Sequence, residues 1–134
     1  MRWIVDGMNV IGSRPDGWWK DRQRAMVVLT QRLDQWAQTQ PDAVTVVFER
    51  PPSTPIRSTL IEVAFAPRAA ANSADDEIVR LVQADHRPEQ IRVVTSDRAL
   101  TERVRHLGAT VIRAEGFRDL IDPRDAKTGE HHAD

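Results

Sequence analysis

The sequence predicts an α/β fold, a parallel sheet with helices on both faces. Three observations carry this. Short apolar, β-branched runs, Trp3-Ile4-Val5, Val44-Thr45-Val46-Val47-Phe48 and Ile91-Arg92-Val93-Val94, alternate with longer stretches of three- and four-residue apolar spacing. That rhythm belongs to strand, helix and strand units. The runs are too short for helices and are mostly apolar, as strands covered on both faces are. Each of them closes on a carboxylate soon after the apolar run stops: Asp6, Glu49 and Asp97.

The elements follow in order. The first strand stops at Asp6, where Gly7 removes a side chain so that backbone or a ligand approaches closely, and Asn9 adds an amide that both donates and accepts. Ser13 to Lys20 holds Pro15 and Gly17 and reads as a loop. Asp21 opens a helix with Ala25, Leu29, Leu33, Trp36 and Ala37 on one stripe, ending before Pro41. Val44 to Phe48 is the second strand. Arg50 to Ser58 contains Pro51, Pro52 and Pro55 and cannot be regular structure. Leu60 to Phe65 reads as a strand nearer the sheet edge. Asn72 to Glu77 opens a helix carrying Ile78, Leu81 and Val82, and Ile91 to Asp97 is a further strand. Leu100, Val104 and Leu107 mark a helix that Gly108 is placed to cap. Thr110 to Ile112 gives the last strand, and Phe117, Leu120 and Ile121 a short final helix. Residues 1–121 thus form one domain, and 122–134, polar and without apolar period, a flexible tail.

Length and composition narrow the function. A chain of 134 residues buries a core without staples. The absence of cysteine excludes disulfides, thiolate metal sites and a thiol nucleophile. The N-terminal apolar segment is short and broken by Asp6, and no run approaches the ~20 apolar residues of a membrane span. A soluble, cytoplasmic protein is expected, with no membrane partner and an oligomeric state left open. The net charge of −1 excludes a uniformly basic nucleic-acid binder but permits a basic face around an acidic pocket. Of 19 basic residues only Lys20 and Lys127 are lysine, leaving 17 arginines, the better bidentate partners for phosphate. Codon composition produces the same bias.

In open parallel sheets ligands bind at the carboxyl ends of the strands. Asp6, Glu49 and Asp97 sit there, and Asp75 and Asp76 open a helix whose N-terminus points to the same edge. Carboxylates pressed together take up protons unless a cation neutralises them. An oxygen-only set without His or Cys favours Mg²⁺ or Mn²⁺, ions that work with phosphate substrates and activate water, the equipment of a phosphodiesterase. Arg14, Arg50, Arg57, Arg68 and Arg98 fall on loops or helix starts near that rim and are candidate phosphate grips. Trp18 and Trp19 either stack bases or pack their loop on the core. The four histidines read as solvated or packed. Purely structural readings exist: Ser73 and Asp76 fit a capping box, Asp75 and Asp76 suit a helix N-terminus, and Asp97 caps the helix of Leu100. Neither a GxxxxGK[ST] nor a GxGxxG loop occurs, which disfavours nucleoside-triphosphate and dinucleotide chemistry.

Four motifs, VDGMNVIG, VVFE, SADDEIV and VVTSDRAL followed by LGATVI, resemble in that order the NYN branch of the PIN-like ribonucleases, most closely the YacP-like group. The resemblance runs from about Trp3 to Phe117, and its specificity lies in the order and spacing of the motifs. It implies a PIN-like, Rossmannoid sheet of strand order 3-2-1-4-5 and metal-dependent endoribonuclease activity leaving 5′-phosphate and 3′-hydroxyl ends. It implies Asp6 as the central ligand of Mg²⁺ or Mn²⁺, with Asp75 and Asp97 as the others and Asp76 and Glu49 as further candidates. By the same resemblance Asn9 would orient the site or the phosphate, and Ser96 would be auxiliary, on the RNA side. Two positions depart from the family pattern: Met8 stands where Tyr is usual, and Glu49 where the second strand usually ends in Asp. The expected substrate is single-stranded or looped RNA, which threads a site at a sheet edge more easily than a duplex. A ribosome or other RNA–protein assembly is the expected kind of recruiting partner. The rival readings are a non-catalytic RNA- or protein-binding module of the same fold and a phosphatase using the same carboxylates.

Overall fold

Five apolar runs become the strands β1 (Arg2–Asp6), β2 (Ala43–Phe48), β3 (Glu62–Phe65), β4 (Ile91–Val94) and β5 (Thr110–Ile112). Among the described residues five α-helices connect and flank them, α1 (Gly7–Gly12), α2 (Arg22–Ala37), α3 (Ser73–Ala84), α4 (Arg98–His106) and α5 (Ala114–Ile121), with a short 3-10 turn at Pro88–Gln90. The computed structural model describes residues 1–13, 17, 20–51, 54–66 and 73–122. Every strand pairs parallel to its neighbour, in the order β3-β2-β1-β4-β5, as the resemblance implied. Among the described residues no helix is long and apolar enough to cross a membrane.

The sheet separates two cores. Trp3 and Val5 of β1 point into one, with Val10, Ile11, Leu29, Leu33 and Phe117 from α1, α2 and α5. Ile4 points into the other, with Ile78, Val82, Leu100 and Val104 from α3 and α4. Side chains alternate along a strand, so Asp6 continues the side of Ile4, towards α3 and α4. In register, Asp6 lies opposite Val47 of β2 and Val5 opposite Val94 of β4, which brings the end of β4 alongside the end of β1. Trp3, Trp36 and Phe117 interlock with ring centroids 5.1 to 5.5 Å apart, and the Arg92 guanidinium covers Trp3 at 4.9 Å.

Four details differ from the sequence expectation. Residues 7–12 form the six-residue helix α1, too short to show an apolar period, with Val10 and Ile11 buried. β3 starts at Glu62 rather than Leu60, because the main-chain N–H groups of Thr59 and Leu60 donate to the Asp34 carboxylate and cannot join a ladder. β4 ends at Val94, and Thr95 to Asp97 turn into α4 instead of extending it. Asp122, assigned to the tail, is buried at the end of α5. Gly108 caps α4 as expected: its φ is +104°, and the N–H of Ala109 reaches back to the Val104 carbonyl. Arg14, Trp18, Trp19, Arg68 and the 123–134 segment lie outside the described residues.

Candidate acidic site

The carboxyl edge of the sheet carries the acidic residues. Asp6 ends β1 with only 5% of its surface exposed. The fully buried Thr95, one residue past β4, donates its hydroxyl to Asp6 Oδ2 at 2.9 Å and accepts the N–H of Asp97 at 3.1 Å. One hydroxyl thereby ties the ends of two adjacent strands to the start of α4. Asn9 Oδ1 accepts the Ser96 N–H at 2.7 Å, locking α1 onto the same turn. Ser96 Oγ donates to Glu115 Oε2 at 2.8 Å and accepts the Ala114 N–H at 3.0 Å, which fixes the start of α5.

Burial raises the Asp6 carboxyl to about 7. The Thr95 hydroxyl opposes this, the charges of Asp75 and Asp97 add to it, and the main-chain N–H of Asn9, which faces the carboxylate without a well-formed capping bond, opposes it again. Asp75, in the first turn of α3, is raised to about 6. Burial leads there too, followed by repulsion from Asp97, relief from Arg103, and repulsion from Asp76 and Glu49. Acidic residues from β1, the end of β2, α3 and the start of α4 thus act on one another, although they are far apart in sequence. Among the described residues no three acidic or histidine side chains are already close enough to grip an ion.

The structural readings of several residues also hold. Asp97 Oδ1 caps α4 by accepting the Leu100 N–H at 2.9 Å. The capping box does not form, since the Ser73 hydroxyl donates to the Glu49 carbonyl at 3.1 Å and joins α3 to the end of β2. Asp76 is exposed and pairs with Arg103 at 3.0 Å. Arg50 and Arg98 are exposed, one following β2 and the other opening α4. Arg57 lies on the stretch between Thr54, whose carbonyl accepts from Gln23 of α2, and Thr59, whose N–H donates to Asp34. Gly7 corrects a sequence expectation. A Cβ there meets the Phe48 ring at 2.5 Å, so the close approach is made by a core side chain and not by a ligand.

Sequence reasoning missed Thr95, Arg103 and Glu115. The signal for Thr95 was a polar residue between a buried strand and Asp97, but its meaning depends on β4 lying beside β1. Arg103 and Glu115 act across helix contacts that leave no local pattern.

Comparison with known proteins gives a match to the YacP-like NYN domain over residues 3–133. Among solved structures, the chain is similar to Rae1 (YacP) from Bacillus subtilis, with 25% identity, a TM-score of 0.72, and coverage of 98% of this chain and 80% of that one. A point mutant of the same Bacillus subtilis protein gives 26% identity, a TM-score of 0.73, and coverage of 92% and 77%. A search of curated proteins gives no match.

Proposed function

The chain belongs to the YacP-like NYN domain family, and on that premise we propose that it is a metal-dependent endoribonuclease cutting single-stranded RNA. Mg²⁺ or Mn²⁺ would be held by Asp6, Asp75 and Asp97. The observation that carries this reading is the buried Asp6 carboxylate at the end of β1, tied through the Thr95 hydroxyl to the Asp97 N–H, and the upward push of burial and neighbouring acidic charge on Asp6 and Asp75 agrees with it. Left alone, Asp6 keeps a proton up to about pH 7, while Asp75 gives its own up near pH 6. An all-oxygen donor set of this kind suits a hard divalent cation, which removes the repulsion.

When bound, such an ion offsets charge on a phosphoryl group and acidifies a coordinated water. The chain's own residues do the rest. Thr95 fixes the Asp6 carboxylate by its hydroxyl, and its contact with the Asp97 N–H keeps the two acidic residues in one frame. With its oxygen engaged by Ser96, Asn9 has its NH₂ left to donate to a phosphate oxygen. Arg98 and Arg50, exposed on either side of the carboxylates in sheet order, supply guanidinium groups to the flanking phosphates.

The test is incubation of end-labelled single-stranded RNA with the protein and Mn²⁺. Cleavage leaving 5′-phosphate and 3′-hydroxyl ends, abolished by chelator and by Asp6→Asn, supports the nuclease. A second reading, a module that holds RNA or a protein without cutting, is favoured by the lack of a ready-made three-carboxylate grip among the described residues. Retention of RNA with no new ends under any divalent ion would establish it instead.

A further inference from the structure

Three elements meet around one cleft: β2 runs out through Phe48 into Glu49 and Arg50, α1 begins with Gly7-Met8 straight after Asp6, and α2 begins at Arg22. The cleft has a volume of about 210 Å³ and is lined by Met8, Arg22, Met26, Phe48, Glu49 and Arg50. Met26 and Phe48 are buried and make its floor, Met8 is half-buried in its wall, and Arg50 is exposed at its mouth. The cleft opens at the same carboxyl edge as the acidic residues, because Glu49, directly after β2, lines it, and so does Met8, two residues after Asp6 on the adjacent strand. A larger groove of about 330 Å³ lies elsewhere along α1, lined by Val10, Ile11 and Leu29, and none of Asp6, Glu49, Asp75 or Asp97 reaches it.

We infer that the small cleft holds the nucleobase adjoining the scissile phosphate of single-stranded RNA, which rests on the nuclease reading and names the part of the substrate the site grips. Its volume is below the ~300–1,000 Å³ of sites for drug-sized ligands, so it takes one flat ring system and not a stack. Two thioethers and a phenyl ring give it polarisable walls suited to a π face. Arg50 at the mouth matches the phosphate that every base carries with it. Glu49 presents a carboxylate that accepts from the amino edge of adenine or cytosine, which uracil lacks. A paired base is excluded, since its edge is already engaged.

The experiment measures fluorescence anisotropy of labelled oligo(A), oligo(C) and oligo(U) RNA with the full chain carrying Asp6→Asn, which prevents cleavage during binding. The parent is expected to bind oligo(A) and oligo(C) more tightly than oligo(U), by about fivefold for one charge-assisted contact. Adding Met8→Ala weakens binding by about fivefold, the scale of one lost sulfur or stacking contact on a base. Met8→Tyr puts an aromatic wall in place of the thioether and retains the parent's affinity, and cooperative urea unfolding of Met8→Ala shows that its loss is not misfolding. Arg50→Ala weakens all three oligomers alike. Equal affinity of Met8→Ala and the parent, or no preference among the oligomers, overturns the assignment, as does failure of the parent to bind RNA. The nuclease reading fails separately, when the unsubstituted chain binds RNA through this cleft and leaves it uncut with Mn²⁺.

Discussion

Thr95 is the residue on which the acidic edge turns, since its single hydroxyl serves both Asp6 and the Asp97 N–H. Thr95→Val keeps the shape and takes the hydroxyl away from the buried Asp6 carboxylate and the half-buried Asp97 N–H, at a cost of about 1–3 kcal/mol by thermal or urea unfolding. Cleavage should fall by about tenfold or more, as when a group orienting a metal ligand is removed. Gly7 is the second sensitive position. Gly7→Ala drives a methyl into the Phe48 ring, which is fully buried and has nowhere to go, so urea unfolding should show a loss of about 1–3 kcal/mol. Neither role was readable from the sequence. Gly7 invited a ligand-based explanation because the strand packing above it is a long-range fact, and Thr95 looked like one more β-branched residue.

At the scale of elements, α3 and α4 hold Asp75 and Asp97 by different means. α4 is fixed by its own cap, whereas α3 is anchored through Ser73 to the end of β2 and, at the surface, through Asp76 to Arg103. The Arg103–Asp76 pair is exposed, so Arg103→Ala should change stability by under about 1 kcal/mol. Its effect on chemistry is larger in kind. Arg103 lowers the Asp75 carboxyl, so its removal raises that group further, and the acid limb of the pH–rate profile should move to higher pH. An unmoved limb would show that Asp75 does not have to ionise for turnover. The helices and strands themselves were largely legible, because apolar period and strand-end carboxylates are local. α1 and the late start of β3 were not: one is too short for a period, and the other is set by Asp34 capturing two main-chain N–H groups from a distant segment.

For the whole molecule, the carboxylates are a conflict built into the fold. The Asp6 carboxyl rises from 3.8 unfolded to about 7 folded, so the native state binds the extra proton. Stability from this group is full below about pH 4 and is lost as pH rises through about 7, an effect on the order of 4 kcal/mol at roughly 1.36 kcal/mol per unit. Metal-free protein should therefore unfold more easily at pH 8 than at pH 5, and Asp6→Asn should flatten that difference in denaturation experiments. Divalent cation should stabilise more at pH 8 than at pH 5, because at the lower pH it competes with protons. The sheet order and the shared edge followed from alternation of elements and from the motif order, so the neighbourhood of Asp6, Asp75 and Asp97 could be anticipated. The hydrogen bonds that set their geometry could not, since each joins residues from different elements. The most direct measurement is anomalous diffraction from crystals of the protein soaked in Mn²⁺ near pH 8. A manganese peak bonded to oxygens of Asp6 and Asp75, with Asp97 direct or through water, is the expected result. A fully charged but empty edge at millimolar Mn²⁺, or manganese bound only elsewhere, would contradict the metal-dependent nuclease.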